Sequence, residues 1–363
     1  MRITHATSRV LSVPTASPLI VGVEQPDTRR EFVTLELGTD EGLVGVGVTF
    51  FGGAIWPALK AAVDSLSELI IGDDPTRTEA IAGKLRAAAS SSGPGGIFTL
   101  ALSAIDIACW DLKAKAAEKP LALLLGGLRD RAPTYASGAM MRELDLEYLS
   151  KAGPRLVEMG FREMKMNCGA EATVGESVER IRVVREGIGP DVRLMCDINQ
   201  MWTVNQAIGI GQQIEQYHLT WLEDPVAHDD FESLARVADA LTMPIATGEY
   251  HYGIVPFRHM LEMRSLDIVM IDVLRAGGVT QWLKIAGMAE AFNLPVVSHL
   301  LPELHVHLIS AIPNGLTVEY MPWTLQLWEE VPSIEDGKIV VPNRSGHGLE
   351  VSKETITKYQ IAS

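Results

Sequence analysis

VRLMCDINQMWTVNQAIGIGQQIEQYHLTWLEDPVAHDDFESLARVADALTMPIATGEY, residues 192–250, holds three short apolar runs, each followed by one acidic residue: Asp197, Glu223 and Glu249. Both intervals between these acids are 26 residues. That spacing suits one strand, one turn and one returning helix, so neighbouring parallel strands would deliver their carboxylates side by side at one end of a sheet. Three hard oxygen ligands, with no Cys or His in the set, favour Mg²⁺ over Zn²⁺. A strand-ending acid can also simply cap the next helix, and that plainer reading stands for any one of the three taken alone.

The same rhythm extends in both directions. From Pro133 onward, strands are expected near 133–138, 161–167, 192–197, 219–223, 244–249, 267–272, 294–299 and 316–320, alternating with helices. Eight such strands predict a parallel α/β barrel. Upstream, TRREFVTLELGTDEGLVGVGVTF reads as two alternating strands joined by a turn at Thr39 to Gly42. Helices follow around 55–71 and 75–90, and another over 97–118, where Ala101, Ala104, Ile105, Ala108, Cys109 and Leu112 recur at helical spacing. A barrel of about 250 residues leaves roughly 110 of the 363 for a smaller domain of antiparallel sheet and helices.

Composition narrows the function. The formal charge of −15 leaves no basic patch for nucleic acid or an anionic membrane. The N-terminus MRITHATSRVLSVP lacks the apolar core of a signal peptide, and no run of 18 apolar residues occurs, so a cytoplasmic protein is expected. Cys109, Cys168 and Cys196 are odd in number and lie in apolar surroundings, which reads as buried thiols rather than a disulfide framework.

In a barrel the residues that finish the strands make the active site. Strand two ends in Lys165, Met166 and Asn167, strand six carries Asp272, strand seven ends in Ser298 and His299, and strand eight carries Glu319. Alternation puts Lys165 and Asn167 on one face, toward the mouth. This set suits removal of a proton next to a carboxylate. A metal ion and a lysine neutralise charge building on the carboxylate oxygens, and a protonated Glu319 would donate a hydrogen bond to one of them. His299 would be the base, with Asp272 orienting its ring. Lys165 taken alone also reads as a surface lysine, and His299 as a satisfied core histidine.

The chain resembles the enolase superfamily, in its mandelate racemase branch, over essentially its whole length. The motifs are AIDIACWDLKAKAAEKPLALLLGG (104–127), KMNCG (165–169), CDINQ (196–200), WLEDP (221–225), TGEY (247–250), DVLRAGGVT (272–280) and SHLLPELHVHLISAIP (298–313). The resemblance implies a modified (β/α)₇β barrel over 131–322 and an α+β capping domain over 1–130, to which the segment 323–363 returns. It implies Asp197, Glu223 and Glu249 as Mg²⁺ ligands, Asp272 and His299 as the base dyad, Glu319 as the electrophilic acid, and Lys165 meeting the substrate carboxylate. Loops near 15–30 and 49–55 would close over the substrate, and a homo-oligomer, dimer or octamer, is expected.

One departure selects the chemistry. Racemases of this branch end the second strand in Lys-x-Lys, whereas this chain has Asn167 in the second place, and an amide cannot accept a proton at neutral pH. A one-base dehydration of an aldonate or aldarate to a 2-keto-3-deoxy acid therefore fits better than racemisation or epimerisation, which stays the alternative; a non-catalytic family member is the third reading. Asn199 stands where some dehydratases of the branch carry a histidine. His251, Phe50 and Trp323 are further candidates for the pocket, while His305 and His307 read as structural.

Overall fold

The computed structural model describes residues 1–361. It opens with β1 (Ile3–Pro14), β2 (Arg29–Thr39) and β3 (Val44–Thr49), then α1 (Trp56–Glu68), α2 (Thr78–Ala88), α3 (Gly96–Ala116) and the short α4 (Leu121–Leu124). The barrel follows as β4 (Arg131–Met140), α5 (Leu146–Glu158), β5 (Glu163–Asn167), α6 (Val174–Ile188), β6 (Arg193–Asp197), α7 (Val204–Ile214), β7 (Trp221–Glu223) and α8 (Phe231–Ala240). It continues through β8 (Ile245–Thr247), α9 (Val255–Met263), β9 (Ile268–Asp272), α10 (Val273–Ala276), α11 (Val279–Ala291), β10 (Val296–His299), α12 (Pro302–Ala311) and β11 (Gly315–Tyr320). The chain closes with β12 (Ile334–Glu335), β13 (Lys338–Val340), α13 (Lys353–Tyr359) and β14 (Gln360–Ile361).

Strands β4 to β11 pair in sequence order, all parallel, and β11 pairs with β4 to close the barrel. No helix follows β11 directly, which makes this the (β/α)₇β form. Tyr135, Met195, Trp221, Ala246, Ile268, Met270 and Val297 form one buried cluster, a packed barrel core. Side-chain caps start several of the returning helices: Asp145 accepts from the Tyr148 N–H at α5, and Thr173 and Thr203 complete capping boxes with Glu176 and Gln206 at α6 and α7.

The smaller region is a four-stranded antiparallel sheet, ordered β14-β1-β2-β3, with α3 packed against β3 and α1. Helix α3 is apolar nearly all round because both its faces are covered. Its approach to β3 demands glycine: a Cβ on Gly47 would stand 1.9 Å from the Ala104 carbonyl oxygen, and one on Gly45 2.3 Å from that of Ala108. The final strand β14 pairs with β1, so the chain's end rejoins this sheet, while β13 pairs with β4 of the barrel. Leu19, in the long β1–β2 loop, is buried among barrel-side residues, and Arg155 of α5 donates to its carbonyl. Among the described residues no helix is long and apolar enough to cross a membrane. All three cysteines are buried and unpaired.

The twelve-residue strand β1 was not anticipated, because ITHATSRVLSVP mixes polar residues into its first half; its edge is completed only by β14, from the other end of the chain.

Candidate active site

Parallel register sets the site. Asn167, Asp197 and Glu223 are direct cross-strand partners on β5, β6 and β7, and Asp272 and His299 are partners on β9 and β10. Lys165 Nζ reaches Glu223 Oε1 at 2.5 Å, Glu319 Oε1 at 2.9 Å and Asp197 Oδ2 at 3.5 Å. Burial opposes its charge, but these carboxylates outweigh burial and hold the ammonium well above its ordinary pKa.

The carboxylates around it repel one another. Burial first, then Asp197, Glu249 and Glu319, push the Glu223 carboxyl well up, with Lys165 pulling the other way. Asp224 is pushed well up by burial and by Glu249 and Asp197, and Glu249 is raised by burial against the pull of His299. Buried Asp224 Oδ2 has no hydrogen-bond partner, and Glu249 Oε2 has only His299 Nε2 nearby, outside hydrogen-bond geometry. Oxygen-only donors crowded to the point of raising each other's pKa, with orphaned atoms among them, fit a hard divalent cation. Asp197, Glu223 and Asp224 present oxygens within 4.8 Å of one another. Glu249, two residues past the end of β8, lies outside that group: its Oε2 faces His299 Nε2 at 3.2 Å. Glu249 lines the open cavity, whereas Glu223 and Asp224 lie behind its lining, and Asp224 is engaged by the Thr247 hydroxyl.

The His299–Asp272 pair is held from three sides. Asp272 caps α10, its Oδ1 accepting from the Leu274 and Arg275 N–H groups at 2.8 Å each, while its Oδ2 meets His299 Nδ1 at 2.7 Å. Burial acts to raise the Asp272 pKa, but the His299 hydrogen bond and the charges of His299 and Arg275 bring it below the usual carboxylate value. Burial lowers the His299 pKa, and Glu249, Asp272 and Glu319 reverse this to leave it raised.

Glu319 differs from the expected protonated donor. Its Oε2 accepts from the Leu300 N–H at 2.6 Å and its Oε1 from the Ser137 hydroxyl at 2.8 Å, beside Lys165. Burial favours the neutral form, yet Lys165, His299 and the Leu300 N–H win and bring its pKa down to about 2. Both its oxygens face donors in this arrangement, so it accepts here rather than donates.

These groups surround a cavity of about 310 Å³ lined by Lys165, Asn167, Asp197, Asn199, Glu249, His299, Glu319 and Trp323 among the expected residues. Asn167 donates to Asp197 Oδ2 at 3.2 Å and to Asn199 Oδ1 at 3.1 Å, and Arg142 also donates to Asn199. Two expected residues lie elsewhere. Phe50 is buried in the smaller region's core, because the turn after β3 puts Phe51 in a left-handed conformation (φ 72°) and presents that ring to the cavity instead. His251 packs among Phe231, Phe257 and His228, and burial lowers its pKa to about 4. His305 and His307 are buried in α12, bonded to the Leu300 and His347 carbonyls, as structural histidines are.

Arg30, Phe51, Met141, Tyr250 and Arg275 line the cavity without having been singled out. Tyr250 and Arg275 stood in plain view inside TGEY and DVLRAGGVT, one and three residues past a strand-end acid. A second cavity of about 690 Å³, between the α2–α3 loop and α9 to α11, is larger but lined mainly by apolar residues, so chemistry rather than size places the site.

Comparison with known proteins agrees with this arrangement. Residues 5–126 match the mandelate racemase / muconate lactonizing enzyme N-terminal domain, and residues 147–355 match the enolase C-terminal domain-like family. The chain is 32% identical to L-talarate/galactarate dehydratase of Salmonella typhimurium over 347 residues, covering 94% of this chain and 87% of that one. It is 30% identical to arabinonate dehydratase of Saccharolobus solfataricus over 346 residues, covering 92% and 91%. Among solved structures, L-talarate dehydratase from Polaromonas sp. JS666, complexed with Mg and L-glucarate, superposes with a TM-score of 0.91 at 32% identity, covering 99% of this chain and 98% of that one. With both family domains matched in order and the barrel closed as described, the chain belongs to the mandelate racemase branch of the enolase superfamily.

Proposed function

We propose that this protein is a Mg²⁺-dependent acid-sugar dehydratase, converting an aldonate or aldarate to a 2-keto-3-deoxy acid. The observation that carries it is the single base: the His299–Asp272 pair faces the cavity from β10, while β5, three strands away around the shorter arc, presents Asn167. The names of the relatives, dehydratases of talarate, galactarate and arabinonate, support the same reading.

Asp197, Glu223 and Glu249, the set the family resemblance implies, would hold the ion, with Asp224 beside Asp197 and Glu223. When bound, Mg²⁺ supplies positive charge against the substrate carboxylate as electron density moves onto it. Lys165 adds its ammonium from the β5 side, fixed by Glu223 and Glu319. His299 Nε2 takes the α-proton, and its Nδ1–H, held on Asp272, keeps the ring in the tautomer that leaves Nε2 free to accept. The imidazolium then returns that proton to the departing β-hydroxyl on the same face, and the enol released tautomerises to the keto acid. Asn167 cannot reprotonate the opposite face, so inversion would need Lys165 or a water in its place.

Proton NMR in D₂O with Mg²⁺ and a panel of aldarates and aldonates tests the proposal. A 2-keto-3-deoxy product is expected; inversion at the α-carbon with deuterium uptake and no dehydrated product would replace the dehydratase with an epimerase. Assembly as a homo-oligomer is part of the proposal, supported by the family resemblance alone, and light scattering would measure it.

A further inference from the structure

Two guanidinium groups, Arg30 and Arg275, line the same cavity as the carboxylates. Arg275 donates to the Glu249 carbonyl at 2.9 Å and lies over the rings of Phe51, at 4.0 Å, and Tyr250, at 4.9 Å. Arg30 is different. Its guanidinium stacks on Trp323 at 3.8 Å and lies 5.6 Å from the Phe50 centroid, but among the described residues it makes no side-chain hydrogen bond and has no carboxylate within 4 Å. It is half-buried, with five N–H donors and no acceptor to receive them.

The route from His299 to Arg30 runs through aromatic rings. Phe51 stacks on His299 at 6.3 Å between centroids, Phe50 lies 4.0 Å from Phe51, and Arg30 follows. Arg30 and His299 line the same cavity of about 310 Å³, Arg30 on a wall built by β2 and the segment after β11. Stacking on Trp323 fixes the plane of the fork in advance, so little order is lost when an anion arrives. Burial lowers the Arg30 pKa, Glu31 opposes this, and Arg275 lowers it further, so the position is one that an anion would relieve.

We propose that Arg30 receives a second carboxylate at the far end of the substrate, so that the enzyme takes aldarates, the diacids, in preference to aldonates. This rests on the acid-sugar reading above. An aldonate ends in a neutral hydroxymethyl group, whose single oxygen cannot meet the guanidinium fork at two points and leaves its charge uncompensated. Replacing a charged, two-point ion pair by that single neutral hydrogen bond corresponds to about 10–100-fold in affinity.

The test separates binding from chemistry. Isothermal titration with the Mg²⁺-loaded His299→Asn protein would compare galactarate with galactonate and glucarate with gluconate. The diacid of each pair is expected to bind about 10–100-fold more tightly. Adding Arg30→Gln should bring the ratio within threefold, chiefly by weakening the diacid, and Arg30→Lys should restore part of it. Equal affinities in the His299→Asn protein, or an Arg30→Gln change that weakens both acids alike, would overturn the proposal and reduce Arg30 to a brace for Trp323. Failure of the dehydratase reading shows separately, as turnover by the unaltered protein without a 2-keto-3-deoxy product, while the binding ratio stands. If no acid sugar binds, both fall.

Discussion

The two walls of the cavity are built by different means. On the barrel side Asn167, Asp197 and Glu223 are aligned by strand register, and Asp272 and His299 by the same register on β9 and β10. On the other side Arg30, Phe51 and Trp323 come from the start of β2, the turn after β3 and the segment beyond β11, and meet only because the smaller region closes over the barrel mouth. Backbone pairing places the first wall to within a side chain's reach. Packing alone places the second. The contrast implies a division of labour: the reaction depends on the periodic wall, and the choice of substrate on the assembled one.

The sharpest way to break that contrast is at His299. His299→Asn should cut turnover by about 10⁴-fold and abolish α-deuterium exchange, both read by NMR, because no other imidazole lines the cavity. Activity near that of the unaltered protein would move the chemistry off the barrel wall and end the comparison. Next in size is Gly47→Ala, which drives a methyl into the Ala104 carbonyl, where strand and helix backbones face each other and neither can give. A loss of about 3 kcal/mol or more in urea unfolding is expected. A neutral result would mean that α3 can move off β3, and the assembled wall would be softer than its packing implies.

Metal removal acts on the periodic wall alone. Mg²⁺ at 100 times its dissociation constant should stabilise the protein by about 2.7 kcal/mol, a melting shift of about 3 °C for a chain of this length. The shift should vanish in Glu223→Gln, measured by scanning calorimetry. Its survival there would assign the ion to carboxylates other than Glu223.

Legibility in the sequence follows the same division. The barrel strands were readable to within a few residues because each apolar run is short, ends in a polar residue and is fully buried. Arg30 was not readable: next to Arg29 at the start of a strand, it looks like a solvated end, and only Trp323, almost three hundred residues later, takes it out of solvent. The expectation of Phe50 at the pocket misses by one residue, because a left-handed residue stands just where the strand alternation stops. The donors around Glu319 could not be read either, since they come from β4, β5 and the turn after β10.

The smallest predicted effect lies where the two walls join. Glu303, in the first turn of α12, is buried with both oxygens accepting from the Thr324 hydroxyl, at 2.9 and 3.0 Å, and Thr324 is the neighbour of the Trp323 that carries Arg30. Burial raises the Glu303 pKa to about 7, against weaker opposing hydrogen bonds from its own backbone and from Thr324; Tyr320 is the other titratable group nearby, its pKa raised chiefly by burial and further by Glu303. A carboxyl with a raised pKa in the folded state binds more protons there than in the unfolded chain. Its contribution is thus complete below about pH 4.5 and lost progressively as pH rises through about 7. Between pH 5.5 and 8.5 the loss is about 2 kcal/mol. Glu303→Gln should flatten that part of the stability–pH profile, and since the amide keeps an oxygen for Thr324, the aldarate preference should persist. A profile that keeps its slope in the variant would show that Glu303 is already ionised in the folded protein, with the join between the walls carrying a charge.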